Sequence, residues 1–373
     1  MSINEIIIWI MVGFMVFSAI DKLFLNNRFG YGEKFDDAFN AMGPLALSIV
    51  GIMCFAPVLG NLLTPVFTPL FQLFGADPAM LAGSILASDM GGYALAGSMT
   101  TDPQIQALSG ILLGSMMGIA IIFVIPYTAT VIEKEDMPYL SSGIMAGIIP
   151  IPIGCLIGGL ISGISFSKLI VNLIPVAILA AVLALCLWLI PRVIIKLFSW
   201  FSKIITWLIG ITLVCAIIEA LTGFVIIPGM APIADQFSIV GLIAITLAGA
   251  YPFIHFLTTV LKKPLSKLGG VIGINEVSVA GMLACLASSI PMYPMVKDMD
   301  PRGKVMSIAF SICAGFCLGD ILGYTSANAP EYIFAMIAGK LLAGVIAAWI
   351  GAIVVGKMMK RTDKVPTTAK QSS

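Results

Sequence analysis

The apolar positions of this chain fall into long runs. Runs of about 20 residues, each long enough to cross the hydrocarbon core of a bilayer as a helix, lie near 5–22, 38–57, 104–132 and 138–165. A second set lies near 203–223, 238–257, 303–327 and 331–357, and one more run near 169–191 stands between the sets. Each set also holds one apolar segment that is interrupted. The first is 78–98, with Asp89-Met90-Gly91-Gly92 in its middle. The second is 276–296, with Ser288-Ser289-Ile290-Pro291-Met292-Tyr293-Pro294. Gly and Pro make an unbroken helix costly there, so both segments are expected to be discontinuous helices or re-entrant hairpins. The stretches 58–74, with Pro65 and Pro69, and 256–272, with Lys262, Lys263 and Lys267, are expected to lie in the membrane interface.

The two sets keep a common register at an offset of 198 residues. Gly75-Ala76-Asp77 falls on Gly273-Ile274-Asn275, Ala82-Gly83 on Ala280-Gly281, Asp102-Pro103 on Asp300-Pro301, and Asp21 on Glu219. This predicts an internal repeat, with residues 1–165 as the first half, 166–202 as a linking helix, 203–358 as the second half and 359–373 as a cytoplasmic tail. Charge decides how the interrupted segments run. If both are hairpins, Lys22, Arg28, Lys34, Lys134, Arg192, Lys196, Lys203, Lys262, Lys263, Lys267, Lys297, Arg302, Lys304, Lys357, Lys360, Arg361, Lys364 and Lys370 share one side. Lys168 alone lies opposite, and Lys340 lies within a span. The positive-inside rule then puts the N-terminus outside and the C-terminus in the cytoplasm. Each half has about four spans and one hairpin, and the halves are inverted relative to each other. The predicted fold class is an all-α polytopic membrane protein. Inverted repeats with broken helices are a common plan of secondary transporters.

Composition agrees with this picture and narrows it. Of 373 residues, 59% are hydrophobic and 10% charged, against about 25% charged in a soluble domain. Net charge is +1, which gives no reason to expect a nucleic-acid partner. The start, Met1-Ser2-Ile3-Asn4-Glu5, lacks the basic opening of a signal peptide, so the first run is expected to be a retained span. All seven cysteines lie in apolar runs, where Cys behaves as a small hydrophobe. Cys313 and Cys317 share a helix face that could hold a metal, but packing is the expected role. A lone histidine, His255, argues against a His-based metal site or a Ser-His triad, and no Gly-rich phosphate loop is present. No cofactor and no enzymatic activity are expected.

Asp89 is the leading candidate for chemistry. A carboxylate inside a membrane segment is costly and normally faces a cavity or a partner. Beside it, Gly91 and Gly92 would expose backbone carbonyls, which together with the carboxylate suit a cation. The competing role for Asp89 is to cap the second half of its hairpin. Asp320, between Gly319 and Gly323, is the second candidate, either as part of the site or in a salt bridge with Lys340. Glu219 and Asp21 read as helix-end charges. Ser88, Ser288, Ser289, Asn328 and Tyr293 could hydrogen-bond a hydroxyl. Tyr324 could do the same or offer an aromatic face to an ammonium. No aromatic cluster is evident near Asp89. Gly110, Gly114 and Gly118 form one small-residue face and Gly143 and Gly147 another. Helix packing explains both, and such faces would also serve a homo-oligomer.

Several motifs are family-specific. They are Ala41-Met42-Gly43-Pro44-Leu45, Ala56-Pro57-Val58-Leu59, Gly75-Ala76-Asp77-Pro78-Ala79-Met80-Leu81-Ala82-Gly83 and Leu86-Ala87-Ser88-Asp89-Met90-Gly91-Gly92. With Leu113-Gly114-Ser115-Met116-Met117-Gly118, Ile151-Pro152-Ile153-Gly154-Cys155, Gly319-Asp320-x-x-Gly323 and Gly339-Lys340-Leu341, they closely resemble the bacterial ethanolamine utilization permease family. The resemblance implies uptake of ethanolamine across the bacterial plasma membrane. A primary amine of this kind is mostly protonated at neutral pH, by analogy with Lys at about 10.4. Asp89 and Asp320 would suit its ammonium, and hydroxyl or carbonyl groups its alcohol. The expected mechanism is facilitated diffusion or ion-coupled uptake where the hairpins meet. The alternatives are a channel for small amines, or a membrane sensor or scaffold for ethanolamine breakdown.

Overall fold

The computed structural model describes residues 2–362, apart from the side chains of 261–263, 265–268 and 358–362. Lys364 and Lys370 lie outside the described residues, as do the side chains of Lys262, Lys263, Lys267, Lys360 and Arg361. The described chain is helical throughout, without strands, and is a multi-pass membrane protein. It holds eight helical stretches long and apolar enough to span a bilayer.

The first stretches are α1 (Ile3–Phe24), then α2 (Tyr31–Asn40) running almost directly into α3 (Met42–Gln72). The short helices α4 (Met80–Ile85) and α5 (Tyr93–Met99) follow. The next span, Pro103–Val131, starts as α6 (Pro103–Ala107), is π-helical over Leu108–Gly118 and Ala120–Val124, and ends as α7 (Ile125–Val131). After it come α8 (Met137–Ile148) with α9 (Ile151–Ile161), α10 (Phe166–Leu189), α11 (Pro191–Thr222) and α12 (Ile233–Ile272). Then follow α13 (Glu276–Ala287), α14 (Met292–Met295), α15 (Pro301–Ala314), α16 (Asp320–Asn328) and α17 (Ile333–Thr362). Large apolar side chains such as Trp9, Leu62, Trp188, Trp207 and Trp349 remain exposed. That is the surface expected of helices whose outer solvent is lipid. The span Pro103–Val131 is the opposite case, almost wholly buried at the centre of the bundle.

Both interrupted segments are hairpins. The base of the first is closed where Thr100 Oγ1 donates to Asp77 Oδ2 (2.7 Å). Its arms lie on the buried span, and the glycine face there is what seats them. Tyr93 packs over Gly110, Ser88 over Gly114 and Leu86 over Gly118, so a Cβ at any of the three would strike the hairpin. The small-residue face therefore serves packing, as expected, and its partner is the hairpin. The second hairpin closes in a matching place. The N–H of Asn275 donates to Asp300 Oδ1 (2.7 Å), and Asn275 Nδ2 to the Asp298 carbonyl (2.9 Å). Its tip bonds to the neighbouring chain, with Phe316 N–H donating to the Cys285 carbonyl (2.8 Å) and Leu318 N–H to that of Leu286 (2.9 Å).

Two expectations are revised. The predicted span 303–327 is not continuous. It breaks into α15 and α16 across Gly315–Gly319, where Phe316 takes a left-handed φ of 60°. A ninth crossing is thus made from two half-helices. The stretches 58–74 and 256–272 mostly prolong helices, α3 to Gln72 and α12 to Ile272, despite Pro65 and Pro69 in the first and Pro264 in the second. At 40 residues α12 is about 60 Å long, twice the hydrocarbon thickness, so part of it must leave the bilayer core.

Contacts between loops sort the chain ends into two groups. At one end of the bundle Asp102 pairs with Lys168, and Asn4 bonds to the Glu331 carbonyl (2.6 Å). At the other, Lys304 pairs with Asp136 (2.5 Å) and Lys22 with Asp36. The first hairpin is based at the first end and the second at the other.

Candidate functional site

The two hairpins reach the break between α15 and α16 from different directions, and the charged residues of the bundle interior collect there. Asp89 follows the tip of the first hairpin. Met90 (φ −98°, ψ 40°) and Gly91 (φ 93°) turn the backbone at this point before α5 begins. Gly91 is required twice over. Its φ is one that other residues rarely adopt, and a Cβ would come within 2.7 Å of Ile52 on α3. At Gly92 an added Cβ would come within 2.7 Å of the Ala87 and Leu86 carbonyl oxygens. These glycines shape the turn that presents Asp89.

The carboxylate is not a helix cap. No side-chain bond caps α5, and Asp89 Oδ1 is buried without a hydrogen-bond partner. Asp320 and Lys340 both lie within electrostatic reach of Asp89. Asp320 opens α16 and accepts a bond from the Tyr251 hydroxyl on α12 (3.0 Å). One turn on, Tyr324 is fully buried, and its hydroxyl also lacks a partner. Tyr93 of the first hairpin meets Tyr324 edge to face, with centroids 6.4 Å apart. The Tyr93 hydroxyl donates to the Asn328 carbonyl (3.4 Å). Asn328 in turn ties its own side chain to the Tyr324 carbonyl (2.9 Å). Ser326 Oγ on the same helix is a further buried, unpartnered hydroxyl.

Among the described residues Asp320 and Lys340 form no ion pair. Lys340 is fully buried and donates instead to the Ser115 carbonyl, in the π-helical part of the central span. Burying an ammonium costs free energy unless something compensates it. Here the compensation comes from one carbonyl and from Asp89 within electrostatic reach.

The remaining predicted residues divide between structure and the second hairpin. Ser88 Oγ bonds the Ile111 carbonyl (3.2 Å) and so fastens the first hairpin to the central span. Ser288 accepts a long bond from the Ile290 N–H (3.4 Å) at the second tip. Ser289 is buried beside Gly315 at the break. Tyr293 is paired with Ser311 Oγ (3.1 Å) and stands in a ring cluster with Tyr127, Phe123 and Phe316. Cys313 Sγ donates to the Gly147 carbonyl (3.1 Å). Among the described residues no group of three or more His, Cys, Asp or Glu side chains could hold a metal.

Sequence reading missed Tyr93 and Tyr251. Both lie in apolar stretches where a tyrosine looks like packing, although Tyr93 directly follows the Asp-Met-Gly-Gly motif. The expectation of no aromatics near Asp89 is corrected accordingly. Tyr324, far away in sequence, is brought beside it by the fold, where it meets Tyr93.

The chemistry of the place is well defined. Two carboxylates and one lysine carry a formal charge of −1. Beside them are the unpartnered Tyr324 hydroxyl and the rings of Tyr324 and Tyr93. Such a set suits a small monovalent cation bearing its own donors.

Comparison with known proteins gives a consistent answer. The chain is 48% identical over 369 residues, 99% of both chains, to a Listeria monocytogenes protein named probable ethanolamine permease EutH. It is 44% identical over 365 residues, 97% of this chain and 98% of the other, to the uncharacterized protein YxeR of Bacillus subtilis. A Salmonella typhimurium protein, also named probable ethanolamine permease EutH, is 41% identical over 394 aligned positions, 96% of this chain and 97% of its own. No solved structure matches. The family model described as ethanolamine utilisation protein, EutH, matches residues 3–354, and the chain belongs to that family.

Proposed function

We propose that this chain is a permease that carries protonated ethanolamine into a bacterial cell, by facilitated diffusion or ion-coupled transport. Asp89 and Asp320 receive the ammonium in this reading. Tyr324 hydrogen-bonds the alcohol, and Tyr93 offers the substrate a ring face. The observation that carries the reading is the buried, unpartnered Oδ1 of Asp89 beside a second carboxylate and an unpartnered phenol. A carboxylate oxygen left so is costly, and a cation with N–H donors relieves the cost. A monovalent cation also balances the formal charge of the two aspartates and Lys340. The names of the Listeria and Salmonella relatives support the same substrate.

The two halves, 1–165 and 203–358, are read as inverted repeats about the linking segment 166–202. The hairpins based at opposite ends of the bundle support that plan, which is common in carriers with a site near the middle of the bilayer. Among the described residues Lys168 is the one lysine at the Asp102 end, whereas Lys22, Lys34, Lys134, Arg192, Lys297, Arg302, Lys304 and Lys357 gather at the Asp136 end. That asymmetry supports an external N-terminus and a cytoplasmic C-terminal end in the plasma membrane.

The test is uptake of labelled ethanolamine into liposomes holding the purified protein, at acid and neutral pH, with and without choline. Saturable uptake with counterflow is expected, dominating over passive leak in acid. No flux above empty liposomes would overturn the proposal. Flux without saturation or counterflow would make the chain a pore.

A further inference from the structure

A second feature of the molecule is untouched by any of this. At the Asp136 end, on the outer surface, α8, the α10–α11 junction and the last turns of α17 leave an open groove of about 1080 Å³. Its floor is apolar, with Met145 and the buried Leu187 among its lining, and Trp188 stands exposed at its side. Its rim carries three cations from three different helical segments, Lys134, Arg192 and Lys357. None of the three is in an ion pair among the described residues. The nearby acids are engaged elsewhere or face away. Asp136 is held by Lys304, and Glu133 lines a separate cleft with Lys297. Only exposed Glu135 is left beside Lys134.

We propose that this groove is a binding site for an anionic phospholipid, with the phosphate among Lys134, Arg192 and Lys357 and an acyl chain along the Met145–Leu187 floor. Two observations and one general rule lead there. The cations lie at a helix end, where headgroups stand, and the apolar floor continues from them toward the bilayer interior. The exposed side chains flanking the groove, Trp188, Leu189 and Val193, belong on a lipid-facing surface, and Trp is typical of its headgroup level. Basic pockets between spans at the cytoplasmic side recognise anionic headgroups by the same chemistry. The chain's own residues 363–373 fit the groove poorly, because their side chains are more basic than acidic. The proposal does not depend on what the protein transports.

The groove is lined by α8, by the α10–α11 junction and by α17, which carries Lys340. A lipid held there ties them together.

The experiment uses the full chain in nanodiscs containing a photoactivatable phosphatidylglycerol analogue, with labelled peptides mapped by mass spectrometry. Label is expected on residues 137–145, 187–195 and 354–357. An even distribution around the bundle would overturn the proposal. In detergent, phosphatidylglycerol should raise the melting temperature of the protein and phosphatidylcholine should not. The variant Lys134→Gln/Arg192→Gln/Lys357→Gln should bind phosphatidylglycerol about 100-fold more weakly. Lys196→Gln/Lys203→Gln, with charges removed from the same end but outside the groove, should bind it normally. Equal loss in both variants would reduce the effect to bulk charge, and equal stabilisation by glycerol phosphate alone would make the site one for a soluble anion. Loss of the label on deleting residues 363–373 would make the tail part of the site. Each of these results refutes the proposal as stated, and the labelling arm stands even if the triple variant does not fold.

Discussion

The two hairpins are alike at their bases and unlike at their tips. Each base is closed at matching positions, Asp77 with Thr100 and Asn275 with the Asp298 carbonyl, and Asp300 adds a bond to the Asn275 N–H. At the first tip a left-handed glycine presents a carboxylate with one unpartnered oxygen against an unbroken central span. The second tip has no charge. It is a Ser-Ser-Ile-Pro turn laid on a span that is itself broken, and the carboxylate of that half, Asp320, sits on the broken span. The acid thus rides on the hairpin in one half and on its neighbour in the other. The bases give the two hairpins a similar closure, and the tips set them apart.

That contrast can be attacked directly. The largest effect belongs to Asp89→Asn. Taking one partner from a buried charge pair between protein and ligand weakens binding by about 2–5 kcal/mol, so ethanolamine uptake in liposomes should fall about 100-fold while the protein still elutes as a folded species. Normal uptake by this variant at low pH would remove Asp89 from the site. Gly91→Ala should come next, and through stability. A left-handed alanine costs about 1–2 kcal/mol and forcing a methyl against Ile52 about 1–3 more, read as a lower melting temperature in detergent. An unchanged melting temperature would mean the first tip is not fixed as described. Tyr251→Phe deletes a bond to a charged group worth about 1.5–3 kcal/mol. The concentration for half-maximal uptake should rise about tenfold or more, and no rise would detach Asp320 from the site. Ser288→Ala at the uncharged tip should be the mildest, under about 1 kcal/mol, since its bond is long. A large loss of uptake there would erase the distinction between the tips.

Much of the frame could be read from the chain. The apolar runs gave the spans, Gly and Pro marked both hairpins, and the segregation of lysines argued that they return to the side they leave. The break at Gly315–Gly319 was not legible. It holds no proline, its residues are as apolar as the spans around it, and its kink depends on Phe316 bonding to the second tip, a contact far away in sequence. The prolines of α3 misled in the other direction. A proline removes one N–H and crowds one turn, and in a membrane helix neighbours absorb that loss. Within the site, Asp89 and Asp320 stood out because charge is rare in such segments. Tyr93 and Tyr251 did not, because a tyrosine among apolar residues announces nothing until its hydroxyl finds a partner. The Lys340–Asp320 pair was a reasonable guess from charge alone, but the π-helical central span offers Lys340 the Ser115 carbonyl instead.

The closed bases also bear on how the molecule is put into a membrane. A segment that enters and leaves at one face needs no loop carried across the bilayer. In the first hairpin the only charged residue between Met80 and Met99 is Asp89, so a single formal charge has to be moved inward. The groove that receives it is made by α3 and by the glycine face of the span Pro103–Val131, which is synthesised after the hairpin. The hairpin must therefore wait at the surface until a later part of the chain has inserted, and then fold inward against it.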